Sequence, residues 1–188
     1  MKDESGRALF LRNGLAAILI AIILTLPFGF TDANYFGDKG FLDRFGGFSA
    51  VLTGFYIAAL VGIASFAPSI GDLDEQIEVG KITRIDDDGE SENLTRRQYV
   101  CSMFGYLSFV SLFISVFAIF SAIFSSFHVI DIIFNVAGFR INFSFVIYLL
   151  AIFFINLIIS HMVVTTCHGL YYLIDRLYAK KPKLLLRE

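Results

Sequence analysis

Four long runs of apolar residues, separated by polar segments, set the pattern of this chain. The runs cover about residues 10–30, 46–67, 100–127 and 143–168, and each reaches the roughly 20 residues with which a helix crosses the hydrocarbon of a bilayer. They lack the polar face that a helix of a soluble bundle presents to water. The pattern predicts an all-α integral membrane protein, in which residues 1–188 form a single domain of four transmembrane helices.

The composition strengthens this prediction. Hydrophobic residues make up 56% of the chain and charged residues only 17%, whereas a soluble domain carries about 25% charged residues. The charges are concentrated in the segments between the apolar runs. Four buried helices of a soluble protein are therefore the weaker interpretation.

The distribution of basic residues predicts the orientation of the spans. Twelve of the 15 Lys and Arg residues lie in the N-terminal segment, the second connection and the C-terminal segment, and three lie in the other two connections. Basic residues remain preferentially on the cytoplasmic side. Both termini, an acidic loop at 69–99 and a basic tail at 176–188 are thus predicted to be cytoplasmic.

The second span carries a small residue at every fourth position: Gly46, Ala50, Gly54, Ala58 and Gly62. In lipid, helices associate through close backbone approach and dispersion contacts, which small side chains permit. This ribbon predicts a tight helix contact. The contact could join two copies of the chain in a homo-oligomer or could close the four-helix subunit itself, and the sequence leaves both open.

The third span has a different spacing of small residues, in steps of three and four, which favours a left-handed helix pair. Its members include Ser108, Ser111 and Ser115, with Ala118 further along the same seam. A helix–helix contact is the first interpretation. A hydrated pore lined by these serines, which the abundant phenylalanines could close by dewetting, is the second.

The fourth span places Asn156 near the middle of the membrane, where an unpaired amide is costly. We therefore expect this side chain to bond another helix, in the seam or in the pore. His161, Thr165 and His168 follow on one face. Because haem ligation across a bundle needs histidines on facing helices, docking of a partner is the preferred interpretation of this face, and no metal or cofactor is expected.

Two charged segments are candidate docking sites for a soluble cytoplasmic protein. The candidate residues of the acidic loop are Asp86, Asp87, Asp88 and Glu90. Those of the basic tail are Lys180, Lys181 and Lys183. Opposite charges can attract a partner, although a solvated loop and contact with anionic lipid are the simpler alternatives. The sequence indicates no direct binding of nucleic acid.

Local signals predict further structure in the acidic loop. Ile70, Leu73 and Ile77 could continue the second span as an amphipathic helix, and "VGKITRI" could form a short strand. Thr95 is a candidate N-cap for the third helix. No nucleophile or acid–base pattern accompanies the membrane-adjacent carboxylates, and the two cysteines are too few for a paired redox motif, so an enzyme is not expected.

The segments "GGFSAVLTGFYIAAL" and "LTRRQYVCSMFGYLSF", within this layout of spans, resemble small four-span membrane subunits of bacterial anti-phage defence systems. The membrane component of the Kiwa system is the first resemblance, and retron-associated membrane effectors are the second. The resemblance implies a multi-pass protein of the bacterial inner membrane that is a homo-oligomer and works with a soluble cytoplasmic sensor. It also implies membrane damage or local interference as the output, so that a pore-forming effector remains the alternative function.

Overall fold

The fold is known from a computed structural model, which describes residues 9–31, 33–65, 73–74, 76–77, 82–85, 91–124, 133–136 and 139–171. Four long helices dominate it: α1 at Leu9–Phe30, α2 at Phe41–Ser65, α3 at Arg96–Phe124 and α4 at Phe143–Tyr171. The predicted all-α architecture is confirmed. Each helix is long and apolar enough to cross a membrane, since even the 22 residues of α1 rise about 33 Å.

The helices pack as two antiparallel pairs. One pair consists of α2 and α3, the other of α1 and α4, and the pairs meet along a thinner contact between α3 and α4. Two contacts along each pair fix the directions. On α2, Gly46 lies against Ala118 of α3 and Thr53 meets Ser111; on α1, Thr25 meets Asn156 of α4 and Gly29 lies against Leu149. The consecutive helices α1 and α2 are therefore not close neighbours along their length.

Each pair has its own spacing of buried positions. On α2 the buried residues are Leu42, Gly46, Ser49, Thr53 and Tyr56, in alternating steps of four and three. This is the heptad spacing of left-handed pairs. On α1 the buried residues Asn13, Ala17, Ala21 and Thr25 recur strictly every four positions. That spacing suits the right-handed crossing typical of small-residue contacts.

The connection between α1 and α2 turns inward. A side-chain hydrogen bond, in which the Gly37 N–H donates to Oδ1 of Asn34 at 2.7 Å, tightens the loop, and Lys39 adopts a φ of 57°. A side chain at Gly40 would come within 2.7 Å of the Gly37 carbonyl oxygen, so only glycine fits this turn. The loop thereby directs Tyr35 into the helix bundle, where it is fully buried.

The connection between α2 and α3 packs against the ends of the helices. Strands β1 at Thr83–Ile85 and β2 at Ser91–Asn93 form an antiparallel pair, which confirms the predicted short strand. Gln76 forms a bridge with Thr95. The predicted helical continuation is wrong at Leu73 and Ile77, because Ile77 instead donates its N–H to the Leu94 carbonyl at 3.3 Å. Ile70, the other residue of that prediction, lies outside the described residues.

A second antiparallel strand pair precedes α4. It consists of β3 at Ile133–Val136 and β4 at Phe139–Asn142. The described residues of this connection thus pair their backbone groups with one another. Pairing satisfies N–H and C=O groups that would otherwise be costly close to lipid.

Candidate functional site

A buried chain of hydrogen bonds joins three parts of the fold. The Tyr35 hydroxyl donates to Oδ1 of Asn156 at 2.8 Å, and the Asn156 amide donates to Oγ1 of Thr25 at 3.0 Å. Thr25 in turn donates to the Ala21 carbonyl at 2.7 Å. The expected interhelical bond of Asn156 is therefore present, and it reaches the α1–α2 connection as well as α1. Burial, and to a lesser degree the nearby Tyr148, raises the pKa of Tyr35.

Aromatic rings surround the buried end of this chain. Tyr35 lies 4.8 Å from both Phe28 and Phe36 and 5.4 Å from Phe41, measured between ring centroids. Phe36 also contacts Tyr148 of α4 at 5.6 Å. Edge-on and tilted rings of this kind attract one another beyond their burial of area. We call these five rings the aromatic plug, because they fill the bundle between α1, α4 and the beginning of α2.

The small-residue ribbon of α2 is divided between two environments. Gly46 is buried, and a Cβ atom there would collide with the Cβ of Ala118 on α3. Ala50, Gly54 and Ala58 are exposed, with open space around Gly54, and Gly62 is half-buried. One member of the ribbon thus closes the subunit, while three members leave a smooth outer face.

The serine seam of α3 lies largely in the α2–α3 contact. Ser111 accepts a 2.8 Å hydrogen bond from Thr53, and Ser115 is within 3.1 Å of the Gly46 carbonyl and 2.9 Å of the Ser111 carbonyl. Ser108 is half-buried and donates to the Gly105 carbonyl at 2.9 Å. Hydroxyl groups that return to backbone carbonyls are satisfied without water.

The polar face of α4 makes separate contacts. His161 bonds the hydroxyl of Tyr106 on α3 through Nδ1 at 2.8 Å, and Nδ1 of His168 lies 3.0 Å from the Val164 carbonyl. Thr166 accepts or donates a 2.8 Å bond with the hydroxyl of Tyr56 on α2. Within the described residues no group of three or more histidine, cysteine or acidic side chains could hold a metal ion.

The beginning of α3 is a second polar centre. Thr95 and Gln98 form a capping box, in which the Gln98 N–H donates to Thr95 Oγ1 at 3.2 Å and the Thr95 N–H donates to Gln98 Oε1 at 2.9 Å. The predicted N-cap is confirmed, and the second half of the box satisfies another free N–H group.

Arg97 ties this region to α2. Its Nε and Nη2 bond the two oxygens of Asp74 at 2.7 and 3.2 Å, and Nη1 donates to the Ile63 carbonyl at 2.9 Å. A guanidinium group suits such a fork of three bonds, and its charge is favourable at the C-terminal end of a helix. We call Arg97, Asp74 and Ile63 the arginine clamp.

Several predicted docking residues lie outside the described part of the chain. They are Asp86, Asp87, Asp88, Glu90, Lys180, Lys181 and Lys183. Inside the bundle, Asn156 and the serine seam each contact their own partners. The described residues do not show how the acidic loop lies relative to the basic tail.

Sequence reasoning missed three contributors to these centres: Tyr35, Arg97 and the buried face of α1. The α1 face had a readable signal, because Asn13, Ala17, Ala21, Thr25 and Gly29 also recur every four residues. A Cβ atom on Gly29 would lie 3.3 Å from Leu149 of α4. Tyr35 and Arg97 had no such signal, because their partners are distant in sequence.

Comparisons with protein families, with curated proteins and with solved structures find no match to this chain.

Proposed function

We propose that this chain is a non-enzymatic, membrane-embedded component of a bacterial defence or stress assembly, in which copies of the chain associate through α2. The observation that supports the association of copies is the exposed small-residue face of Ala50, Gly54 and Ala58, and the defence role follows from the resemblance of the chain to small four-span membrane subunits. These residues lie away from the α2 face that contacts α3. A smooth helix face that the subunit does not use allows a second helix to approach closely in lipid.

The connection between α2 and α3 supplies the second part of the proposal. The arginine clamp and the buried Leu73, Ile77 and Leu94 hold this connection against the helix ends. A segment anchored in this way can pass a partner's binding to α2 and α3. Its acidic residues would recruit a soluble protein with a basic surface.

The first experiment is a comparison of oligomeric state. The protein and its Gly54→Leu variant would be extracted in mild detergent and their masses measured by light scattering or native mass spectrometry. We expect an oligomer for the natural chain and a shift toward monomer for Gly54→Leu. Gly105→Leu is the matched control, because Gly105 also has open space around it but lies on α3. A natural chain that is monomeric, or an oligomer indifferent to Gly54→Leu, would contradict the proposal.

The second experiment identifies the partner. Proteins that copurify with the natural chain would be compared with those that copurify with a variant in which Asp86, Asp87, Asp88 and Glu90 are replaced by Asn and Gln. We expect one soluble protein to be lost from the variant while the oligomer survives. Cells that express the chain with this partner should resist phage infection better than cells with the neutralised variant, and equal infection of both would contradict the defence role.

A pore lined by Ser108, Ser111 and Ser115 is the alternative function. It has less support, because the Ser111 and Ser115 hydroxyls are engaged between α2 and α3. Its test is the membrane potential of cells at high expression. Depolarisation that Ser111→Leu abolishes, without loss of the folded protein, would favour the pore over the assembly component.

A further inference from the structure

An apolar groove lies between the two helix pairs. Its volume is about 140 Å³, and only apolar side chains line it. Phe113 and Phe117 of α3 face Phe154 and Ile158 of α4 across it, and Leu42 of α2 contributes as well. Phe113 and Phe154 are also exposed on the outer surface of the bundle. The groove is therefore reached sideways, from the lipid.

A hydrogen-bonded polar pair lies on the same seam. Tyr106 is seven residues before Phe113 on α3, and His161 is seven residues after Phe154 on α4, so each shares its helix face with a groove residue. The Tyr106 hydroxyl and His161 Nδ1 are 2.8 Å apart. His161 is buried, but Tyr106 is 38% exposed. The α3–α4 seam thus offers a polar group to the lipid at one end and an apolar groove about 10 Å further along the helix.

The size of the groove decides what class of molecule it can hold. Typical sites for drug-sized ligands and cofactors enclose about 300–1,000 Å³. An apolar cavity of about 150 Å³ accepts a molecule the size of benzene, and the groove is comparable at about 140 Å³. It therefore has room for a few carbons of one chain and none for a large ring system.

We propose that the α3–α4 seam binds one phospholipid, with an acyl chain in the groove and its ester group at Tyr106. The phospholipid belongs to the leaflet on the side of the α2–α3 connection. A chain from one leaflet reaches the midplane over about 15 Å, which is enough to span the distance from Tyr106 to Phe113. His161 completes the recognition: when Nδ1 carries the proton it donates to the phenol oxygen, and the Tyr106 O–H is then directed to a carbonyl acceptor.

The position of the site suggests what the phospholipid contributes. The α3–α4 contact is the thinner one between the two helix pairs. An acyl chain in the groove adds dispersion contacts on both sides of that contact, since Phe113 and Phe117 belong to one pair and Phe154 and Ile158 to the other. The bound lipid would then strengthen the association of the pairs.

The test measures phospholipid binding to the delipidated, full-length protein. Phosphatidylglycerol would be titrated in mild detergent and the bound equivalents counted by native mass spectrometry. We expect one equivalent to bind more tightly than the rest. Ile158→Trp, which fills the groove, should weaken that equivalent at least tenfold. Tyr106→Phe should weaken it by about two- to tenfold, the range of one net hydrogen bond. Phe109→Trp is the control, because Phe109 is exposed on α3 and does not line the groove.

Each other outcome overturns the proposal. These outcomes are no preferred equivalent, natural affinity in Tyr106→Phe or in folded Ile158→Trp, equal loss with Phe109→Trp, and tighter binding of a free fatty acid or a quinone than of phosphatidylglycerol. Circular dichroism melting would show whether Ile158→Trp folds. If it does not, Phe113→Trp replaces it as the variant that fills the groove, and binding to folded Phe113→Trp at the natural affinity would equally overturn the proposal.

Discussion

The hydroxyl of Tyr35 donates a 2.8 Å hydrogen bond to Oδ1 of Asn156, a residue 121 positions later in the chain. Both side chains are fully buried. This bond holds the α1–α2 connection inside the bundle and satisfies the amide that would otherwise be the most costly group of α4. Because Asn156 also donates to Thr25, one amide joins α1, α4 and the connection.

Removal of the Tyr35 hydroxyl should destabilise the fold. Tyr35→Phe keeps the ring in the aromatic plug but leaves Asn156 Oδ1 unsatisfied, so the free energy of unfolding should fall by about 1 kcal/mol. Unfolding by dodecyl sulfate in mixed micelles measures the change. Tyr171→Phe is the control, because Tyr171 is exposed. In a double-mutant cycle with Asn156→Ala the two effects should be non-additive, and additive effects would argue against the bond.

The protonation of Tyr35 should also make the stability of the fold depend on pH under alkaline conditions. Burial raises the pKa of Tyr35 in the folded protein, so the folded state retains a proton that the unfolded chain loses near pH 10. The corresponding stability is fully present below about pH 10 and decreases as the pH rises further. The free energy of unfolding should therefore be measured between about pH 9 and 11, on either side of the ordinary tyrosine pKa. Over this range the natural protein should lose more stability than Tyr35→Phe. Parallel curves for the two proteins would contradict this prediction.

Two glycines of α2 should respond differently to the same substitution. Gly46→Ala places a Cβ atom against Ala118, whereas Gly54→Ala places it in open space. We expect Gly46→Ala to lower the free energy of unfolding by about 1–3 kcal/mol through overpacking. Gly54→Ala should leave it unchanged or raise it slightly, because alanine favours helix more than glycine does. Equal effects in dodecyl sulfate unfolding would show that the Gly46–Ala118 contact is not tight.

The arginine clamp should control exposure of the α2–α3 connection. Arg97→Lys keeps the charge but cannot reproduce the bonds to both Asp74 oxygens and to the Ile63 carbonyl. We expect faster hydrogen exchange at Leu73, Ile77 and Leu94, with α1 and α4 unaffected. Glu92→Gln serves as the control, because Glu92 is exposed on β2. Unchanged exchange in Arg97→Lys would mean that the clamp does not hold the connection.

The predicted orientation can be tested with cysteine labelling. Cys167 is exposed near the end of α4, and the distribution of basic residues predicts that this end is cytoplasmic. In a Cys101→Ser background, a membrane-impermeant maleimide should label Cys167 in inverted vesicles but not in intact cells. Ala33→Cys in a cysteine-free background, at an exposed position of the α1–α2 connection, should show the opposite result. The reverse pattern would invert the topology.

Several local features were predictable because their causes are local. Thr95 was identified as an N-cap from its position alone, and its partner Gln98 lies only three residues away. The strand in "VGKITRI" likewise depends on β-branched residues close together. Leu73 and Ile77 misled the prediction, because their apolar spacing fits a helix turn as well as it fits a connection packed against helix ends.

The division of the small residues among contacts was not predictable. Gly46 and Gly54 have the same chemistry and belong to one ribbon, yet one is buried against Ala118 and the other is exposed. The ribbon predicted a tight contact with four-residue spacing on α2. In the structure, the buried face with that spacing belongs to α1 and includes Ala17 and Ala21. Spacing identifies a surface that can pack, but which helix it meets depends on the arrangement of all four.

The sequence by itself determined four helices with the length and apolarity to cross a membrane, because that outcome depends only on contiguous residues and the solvent they meet. It also marked Asn156 as a group in need of a partner. Only the tertiary structure decided that the partners are Tyr35 and Thr25, that α1 pairs with α4, and that Arg97 closes the end of α2. These choices depend on close packing and on hydrogen-bond geometry between distant segments, which hydropathy and spacing along the chain do not encode.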